Sequence, residues 1–366
     1  MMVDPDRAKT LIRSLRDRHA AHPTGAPAAP RLACGFDAAA SGDSVVWPAP
    51  VFSRLALDCD AAPAVLAALQ SARHHSGCSV VDRSQATATA ASETADDPGA
   101  VTSSGHRVVA VYADAPILPE ATAHASFIEW QFLPSPQPRS SSSNPEPWGA
   151  RKADWSPTLP SDLSRLDQFA ARIELMRQWS TVSQVRVGGA IPAAAVYDDV
   201  RLMADLGLDY VSLLCDVRYG MGAGQFHRLM DVQRAVDLAR QALHDAGRPE
   251  LPLLISCDAC PPQEAVRWLA MGVRAINLDG YLIAHQTVPE ARPSDSFGSF
   301  LGDYGRTAAA SSDWLGPAVA SYVSGLASEL AFAGYDSLQT WMASGKKALQ
   351  PSSAERTPSP RGRKGS

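Results

Sequence analysis

The stretch "LPLLISCDACPPQEAVRWLAMGVRAINLDGYLI", Leu251 to Ile283, decides the fold class. It begins with a short apolar run that is typical of a buried strand. The segment "PPQEAVRWLAMG" follows, with apolar residues at helical spacing and Gly272 at its end. A second strand pattern, "RAINLDG", comes directly after it. This order of strand, helix and strand predicts a parallel βαβ unit.

The same alternation extends upstream of this unit. Helical spacing occurs at 161–179, 193–207 and 230–247, and strand patterns occur at 184–190 and 208–215. Two earlier runs, at 107–113 and 127–133, are rich in β-branched and aromatic residues and also predict strands. Consecutive strands joined by helices are typical of a barrel or a doubly wound sheet. The predicted fold class is therefore α/β.

The composition restricts the class of partner. The chain has 366 residues, 45% of them hydrophobic, and a formal charge of -5. Mild acidity gives no electrostatic reason to expect nucleic acid or an anionic membrane surface. No run approaches the roughly 18 apolar residues of a membrane span, and the first residues lack the apolar core of a secretory signal. We expect a cytoplasmic protein that begins with a helix and leader at 1–42.

Three segments are poor in apolar residues. They lie at 82–106, at 134–152 and in a basic tail at 342–366, and they are rich in Ser, Pro, Ala or Thr. Such compositions bury too little apolar surface to fold on their own. We expect these segments to be loops or disordered.

The cysteines leave several interpretations open. Cys257 and Cys260 form a C-x-x-C motif, which in other proteins serves metal binding or thiol redox chemistry. No second pair or suitably spaced histidines lie nearby, so incidental small residues are the preferred interpretation. His74, His75 and Cys78 could form a ligand cluster, but a polar loop is the preferred prediction there.

Several motifs occur in the order seen in one known family. They are "DSVVWPAPVFSRLALD" at 43–58, "FIEWQF" at 127–132, "DYVSLLCDVRYGMGAGQF" at 209–226 and "PAVASYVSGLASELAFAGYDSLQTW" at 317–341. Together with Leu251–Ile283, they resemble the FMN-binding domain of glutamate synthase, a (β/α)8 barrel. The resemblance covers 43–341 and implies a barrel of that FMN-dependent type.

The resemblance also implies a function and a site. It implies an FMN-dependent oxidoreductase of glutamate synthesis, with the flavin at the carboxyl ends of the strands. The family's flavin-side lysine falls on Gly188, and Arg186, two residues upstream, is the alternative cation. The residues placed at the cofactor by the resemblance are Arg186, Gly188, Gly220, Gly222, Ala223 and Gly280.

Other positions depart from the family and make FMN binding doubtful. Asp258 replaces a phosphate-side glycine, and Asp279 adds a second carboxylate beside Gly280. A carboxylate repels a phosphate where the dielectric constant is low, so we expect Asp258 to cap the following helix instead. No cysteine follows Cys260, so the family's iron–sulfur cluster cannot form there. The early strands look short, which predicts a barrel that is incomplete or has degraded early strands.

Three function classes therefore remain. The chain is an FMN-dependent oxidoreductase, or a catalytically inactive barrel with a binding or structural role, a pseudoenzyme. A cofactor-free lyase or aldolase ranks last, because it would need a strand-end lysine or paired carboxylates and lysines are almost absent between 153 and 345. Asp216 and Arg218 follow the strand at 208–215 and would face the barrel mouth or form a salt bridge there. Asn277 is a further polar candidate. Partners would be a small molecule or flavin, and an incomplete barrel would expose apolar surface for a protein partner or self-association.

Overall fold

A computed structural model gives the structure of the chain. It describes residues 30–36, 45–57, 63–83, 106–112, 119–123, 125–132, 166–180, 185–215, 231–285 and 314–349. Most of the three segments predicted to be loops or disordered lie outside these ranges, as does the predicted N-terminal helix. Asp216, Arg218 and the glycine loop at 220–224 lie outside them as well.

Eight parallel strands close into a barrel in the order β10-β3-β4-β5-β6-β7-β8-β9. An antiparallel hairpin, β1 (Cys34–Phe36) and β2 (Val45–Trp47), precedes it. The barrel strands are β3 (Val51–Ser53), β4 (Ser79–Arg83), β5 (Arg107–Tyr112), β6 (Phe127–Gln131), β7 (Arg186–Pro192), β8 (Tyr210–Leu214), β9 (Leu253–Ser256) and β10 (Val273–Asn277).

Helices connect and surround these strands. They are α1 (Pro63–Ser76), α2 (Pro119–Thr122), α3 (Leu166–Trp179), α4 (Val196–Asp205), α5 (Val232–Asp245), α6 (Pro262–Ala270), α7 (Asp279–His285), α8 (Leu315–Phe332) and α9 (Leu338–Leu349). Helices α4, α5 and α6 each link two neighbouring parallel strands, as the sequence pattern predicts.

Helix α5 shows why the pattern could be read from sequence. Asp231 caps it by accepting a hydrogen bond from the Arg234 backbone N–H at 3.2 Å. Gly247, with a φ of 71°, ends it in a left-handed conformation that glycine adopts without steric cost. Between these signals, one face is buried at helical spacing by Ala235, Val236, Ala239, Ala242 and Leu243.

The barrel prediction is confirmed. Of its two expected irregularities, incompleteness is wrong, and a short early strand is present in β3. The sheet closes because β10 pairs with β3, the first barrel strand, through Ile276 with Val51 and Asn277 with Phe52. Strand β3 is only three residues long, which explains why its pattern was weak in the sequence. The polar loop expected around His74, His75 and Cys78 is also wrong. The histidines end helix α1, and Cys78 is fully buried.

Two predicted boundaries differ from the structure. Strands β1 and β2 pair across the boundary expected between 42 and 43, so residues on both sides of it belong to one hairpin. The single closing helix expected at 317–341 is two helices, because Gly334 adopts a φ of 80° between α8 and α9. Helix α9 then continues to Leu349, beyond the expected start of the tail at 342.

Strand β6 shows which side chains face the inside of the barrel. Trp130 and Phe132 contact the ring of Phe169 on α3, so these residues point outward towards the helices. Because side chains alternate along a strand, the polar residues Glu129 and Gln131 point inward. Strand pairing carries this alternation to the neighbouring strands: Glu129 lies beside Gly188, and Gln131 lies beside Ala190.

An aromatic cluster fills the amino-terminal end of the barrel. Phe36 of the β1–β2 hairpin lies 5.5 Å from the ring of Phe127 and 6.3 Å from that of Tyr210. Trp47 lies 5.3 Å from Phe127 and 6.2 Å from Phe52. All of these rings are fully or almost fully buried. The hairpin therefore closes this end, and any ligand site must lie towards the carboxyl ends of the strands.

The helices of the described ranges can be compared with the requirements of a membrane-spanning helix. Within the ranges given above, none combines the length and the apolar character needed to cross a bilayer.

Candidate functional site

The polar side chains inside the barrel gather around Arg54. This residue directly follows β3, and its side chain is completely buried. Its Nη2 lies 2.5 Å from Oε1 of Glu129 and 3.0 Å from Oγ of Ser212, while Nη1 donates to Oε1 of Gln131 at 3.1 Å. The guanidinium thus joins the first, fourth and sixth barrel strands across the centre.

Two further contacts hold the Arg54 site in place. The Gln131 Nε2 donates to Oε1 of Glu129 at 2.6 Å, which leaves the amide oxygen of Gln131 turned towards Arg54. The guanidinium carbon lies 5.7 Å from the centre of the Phe52 ring, a favourable position for a cation over an aromatic face. Burial, and then the Glu129 charge, raise the pKa of the neighbouring Tyr210 phenol well above its usual value.

A second polar cluster lies where the barrel closes. Asp279, the first residue of α7, is almost fully buried. Its carboxylate accepts hydrogen bonds from the Ser53 hydroxyl at 2.7 Å, the Arg54 backbone N–H at 3.0 Å and the Asn277 amide at 3.2 Å. Asn277 in turn accepts from the Asp279 backbone N–H at 2.7 Å. This carboxylate therefore fixes the end of β3 against the end of β10.

Gly280 is a point of close backbone approach. A methyl group at its Cβ position would lie 2.6 Å from the Asp258 carbonyl carbon, 2.8 Å from the Ala259 nitrogen and 2.9 Å from the Cys257 oxygen. Real Cβ atoms essentially never come this near to backbone. The glycine at this position thus lets α7 pack directly against the loop after β9.

The two residues predicted on β7 lie away from its carboxyl end. Arg186 is the first residue of β7 and pairs with Phe127, so its backbone lies at the amino-terminal side of the barrel. Gly188 faces inward under the ring of Tyr210, where an added Cβ would lie 2.3 Å from ring atoms. Their role at a flavin stays a prediction, which these positions do not favour. Gly220, Gly222 and Ala223 lie outside the described residues.

The loop after β9 leads into helix α6. Pro261 is the N-cap residue and makes no side-chain hydrogen bond, and Asp258, three residues before it, is exposed. The expected capping by Asp258 stays a prediction. The C-x-x-C thiols of Cys257 and Cys260 are buried and are not joined in a disulfide. A hydrogen bond with Cys260, followed by burial, raises the pKa of the Cys257 thiol, which keeps it protonated and unreactive. Within the described ranges no metal-binding group of His, Cys, Asp or Glu is found.

The described residues do not fit FMN. The backbone after β9 fills the space in front of Gly280, and the buried charge beside that glycine is the carboxylate of Asp279. The guanidinium inside the barrel is already paired with Glu129, so its charge is neutralised there. A phosphate and an anionic flavin ring would each meet negative charge or occupied space.

Comparison with known proteins bears on the fold. No protein-family model matches the chain, and no curated protein does either. A solved structure of a mandelate oxidase mutant with the monooxide FMN adduct aligns with a TM-score of 0.50 and 10% identity, over 93% of this chain and 92% of that one. The shared fold is the (β/α)8 barrel.

A second mandelate oxidase structure, with 3,3-difluoro-2-hydroxy-3-phenylpropionic acid, has a TM-score of 0.47 and 11% identity, over 93% of this chain and 90% of that one. This score is too low to support an argument. At such identities the likeness concerns the fold alone. The solved neighbours are FMN enzymes, and the resemblance to glutamate synthase stays a prediction.

Sequence reasoning missed Arg54 and Glu129. A signal for Glu129 existed in "FIEWQF", where Glu and Gln alternate with large apolar residues in a strand that must be buried. Two inward polar residues require a partner inside the barrel. That partner lies 75 positions upstream, next to a three-residue strand, and only the closed barrel brings it to Glu129.

Proposed function

We propose that this chain is a non-catalytic barrel descended from FMN-dependent oxidoreductases of the glutamate synthase type, with a binding or structural role. One observation carries the proposal, the pairing of Arg54 with Glu129 at the barrel centre. In a catalytic barrel the carboxyl ends of the strands must admit cofactor and substrate. Here the buried guanidinium of Arg54, which follows β3 at its carboxyl end, is already bound by the protein's own Glu129.

The energetics oppose an exchange of Arg54 for a flavin. Withdrawing the guanidinium would leave the Glu129 carboxylate buried without its cation. Breaking a buried pair in this way costs about 3–5 kcal/mol. A flavin ring offers no positive charge to compensate that carboxylate. The free energy of flavin binding would therefore be less favourable by this amount.

The second candidate is an FMN-dependent oxidoreductase. It is supported by the barrel fold, which a mandelate oxidase with an FMN adduct shares, and by the sequence motif around Gly220 and Gly222. A bound flavin would supply hydride or electron transfer. This candidate requires the loops outside the described residues to supply the cradle that Gly280 and Asp279 do not offer.

An absorbance spectrum and an FMN titration separate the two candidates. We expect a colourless purified protein, with no saturable change in flavin fluorescence up to millimolar FMN. Free riboflavin serves as a control for non-specific ring binding. A yellow preparation, or micromolar FMN binding that Gly220→Asp abolishes, would establish the oxidoreductase candidate and overturn the proposal.

Association with a protein partner or with a second copy of the chain is also proposed. The predicted cause was an incomplete barrel, and the barrel is closed. In the described part of the chain, the large hydrophobic side chains that are exposed are Val46, Leu175 and Phe332. Size-exclusion chromatography with light scattering tests self-association, and a monomer at every concentration would count against it. A cytoplasmic location is likewise proposed.

A further inference from the structure

The surroundings of Arg54 form a recognition site for a guanidinium group. The carboxylate of Glu129, the amide oxygen of Gln131 and the hydroxyl of Ser212 all lie within 3.1 Å of its terminal nitrogens. The ring of Phe52 faces the same group at 5.7 Å. A charged acceptor, neutral acceptors and an aromatic face are the features with which proteins recognise guanidinium.

The geometry selects a planar fork rather than a point charge. The two terminal nitrogens are used separately, since Nη1 reaches Gln131 while Nη2 reaches Glu129 and Ser212. An ammonium nitrogen in the place of Nη2 could reach Glu129 and Ser212, but it would leave the amide oxygen of Gln131 without its donor, because all of its N–H groups surround one atom. The acceptors are also fixed independently of Arg54, because Gln131 donates to Glu129.

We propose that the barrel centre is a guanidinium-binding site occupied by the chain's own Arg54, and that it binds a small alkylguanidinium cation from solution when that side chain is removed. The inference rests on the proposed function in one respect: both take the Arg54 side chain as the occupant of the barrel centre, where it excludes a flavin. Its consequence is that the site remains formed in an Arg54→Ala protein and can be filled again.

The test is chemical rescue of stability. Arg54→Ala leaves Glu129 buried without a cation, and we expect a melting temperature lower by about 10 °C. Millimolar ethylguanidinium should restore at least half of that loss in a saturable manner, whereas ethylammonium at equal concentration should not. No rescue, or equal rescue by both cations, would overturn the proposal.

Two control proteins exclude a general salt effect. In Arg54→Ala/Glu129→Gln the charged acceptor is gone, so ethylguanidinium should have no stabilising effect. Arg177→Ala removes a half-buried arginine paired with Asp209 at 2.9 Å and should likewise show no rescue. Rescue of either control to the same extent as Arg54→Ala would contradict the site.

A variant that does not fold still gives an answer. Arg54→Ala would then be refolded from urea with and without ethylguanidinium and followed by circular dichroism. Recovery of the native spectrum only with the cation supports the proposal, and no recovery contradicts it. FMN binding by the wild-type protein would overturn the proposed function without altering the rescue, so the two failures can be distinguished.

Discussion

The carboxylate of Asp279 accepts a hydrogen bond of 2.7 Å from the hydroxyl of Ser53, and this bond joins the last strand of the barrel to the first. The same carboxylate accepts the backbone N–H of Arg54 at 3.0 Å. It therefore fixes the backbone from which the Arg54 side chain enters the barrel. Asp279 was expected as a charge facing a cofactor phosphate, and in the structure its hydrogen bonds are made within the protein.

Asp279→Asn should destabilise the fold. The amide keeps the shape of the side chain but turns a donor towards groups that already donate, and a buried donor left unsatisfied costs about 1–3 kcal/mol. Asp205→Asn, on an exposed carboxylate of α4, is the control and should change little. Urea unfolding measures both, and equal stability of the two variants would contradict the role assigned to Asp279.

Gly280→Ala should be more damaging than an alanine at another helical glycine. Its Cβ would meet backbone atoms at 2.6–2.9 Å, whereas a Cβ on Gly316 of α8 would meet nothing within 4 Å. We expect a loss of about 1–3 kcal/mol at Gly280 and a neutral or stabilising effect of up to about 1 kcal/mol at Gly316. Thermal unfolding of both variants checks this. A tolerated alanine at Gly280 would mean that the space in front of it is open after all.

The sequence predicts the regular half of this barrel better than the irregular half. From 184 onward, strand and helix patterns alternate and glycines such as Gly207, Gly247 and Gly272 end the helices, so the elements could be placed. The first half contains a three-residue strand, β3, and a helix, α1, that ends where a polar loop was expected. Short strands owe their position to neighbours that are distant in the chain, and local patterns do not contain that information.

The site was harder to predict than the fold for the same reason. The sequence placed Gly280 and Asp279 at a cofactor phosphate, and that placement stays a prediction. The neighbours of these residues in the structure come from the ends of β3 and β9, which are distant in the chain. The role of Gly188 depends on which residue of β8 lies beside it. That residue is Tyr210, and its identity follows from strand register and not from spacing along the chain.

Gly188→Ala tests this register directly. The new methyl group would lie 2.3 Å from atoms of the Tyr210 ring, inside a barrel with no room for the ring to move away freely. We expect a loss of about 1–3 kcal/mol, as for other overpacked cores. The clash should disappear when Tyr210 is also truncated.

A double-mutant cycle measures that coupling. Gly188→Ala should cost at least about 1 kcal/mol less in a Tyr210→Ala background than in the wild type, because residues in contact are not additive. Additive costs would show that the two residues do not meet and that the inward register of β7 and β8 is wrong.

Asp199 should make the protein less stable as the pH rises from about 4 to 7. Burial, and then the charge of Asp198, raise the pKa of this carboxyl from 3.8 to about 7, and its Oδ2 makes no hydrogen bond. Between these values the unfolded chain is ionised while the folded protein still holds the proton. The folded state therefore binds more protons, and stability falls with increasing pH until both states are ionised.

Asp199→Asn removes this dependence. The variant should be more stable than the wild type at pH 8 by on the order of 1–2 kcal/mol, a value that allows for solvent screening, and the difference should shrink towards pH 4. Asp205→Asn, on an exposed carboxylate of the same helix, should show no such trend. Urea unfolding at pH 4, 6 and 8 provides the measurement. A difference between wild type and Asp199→Asn that stays constant over this range would show that Asp199 is ionised in the folded protein throughout.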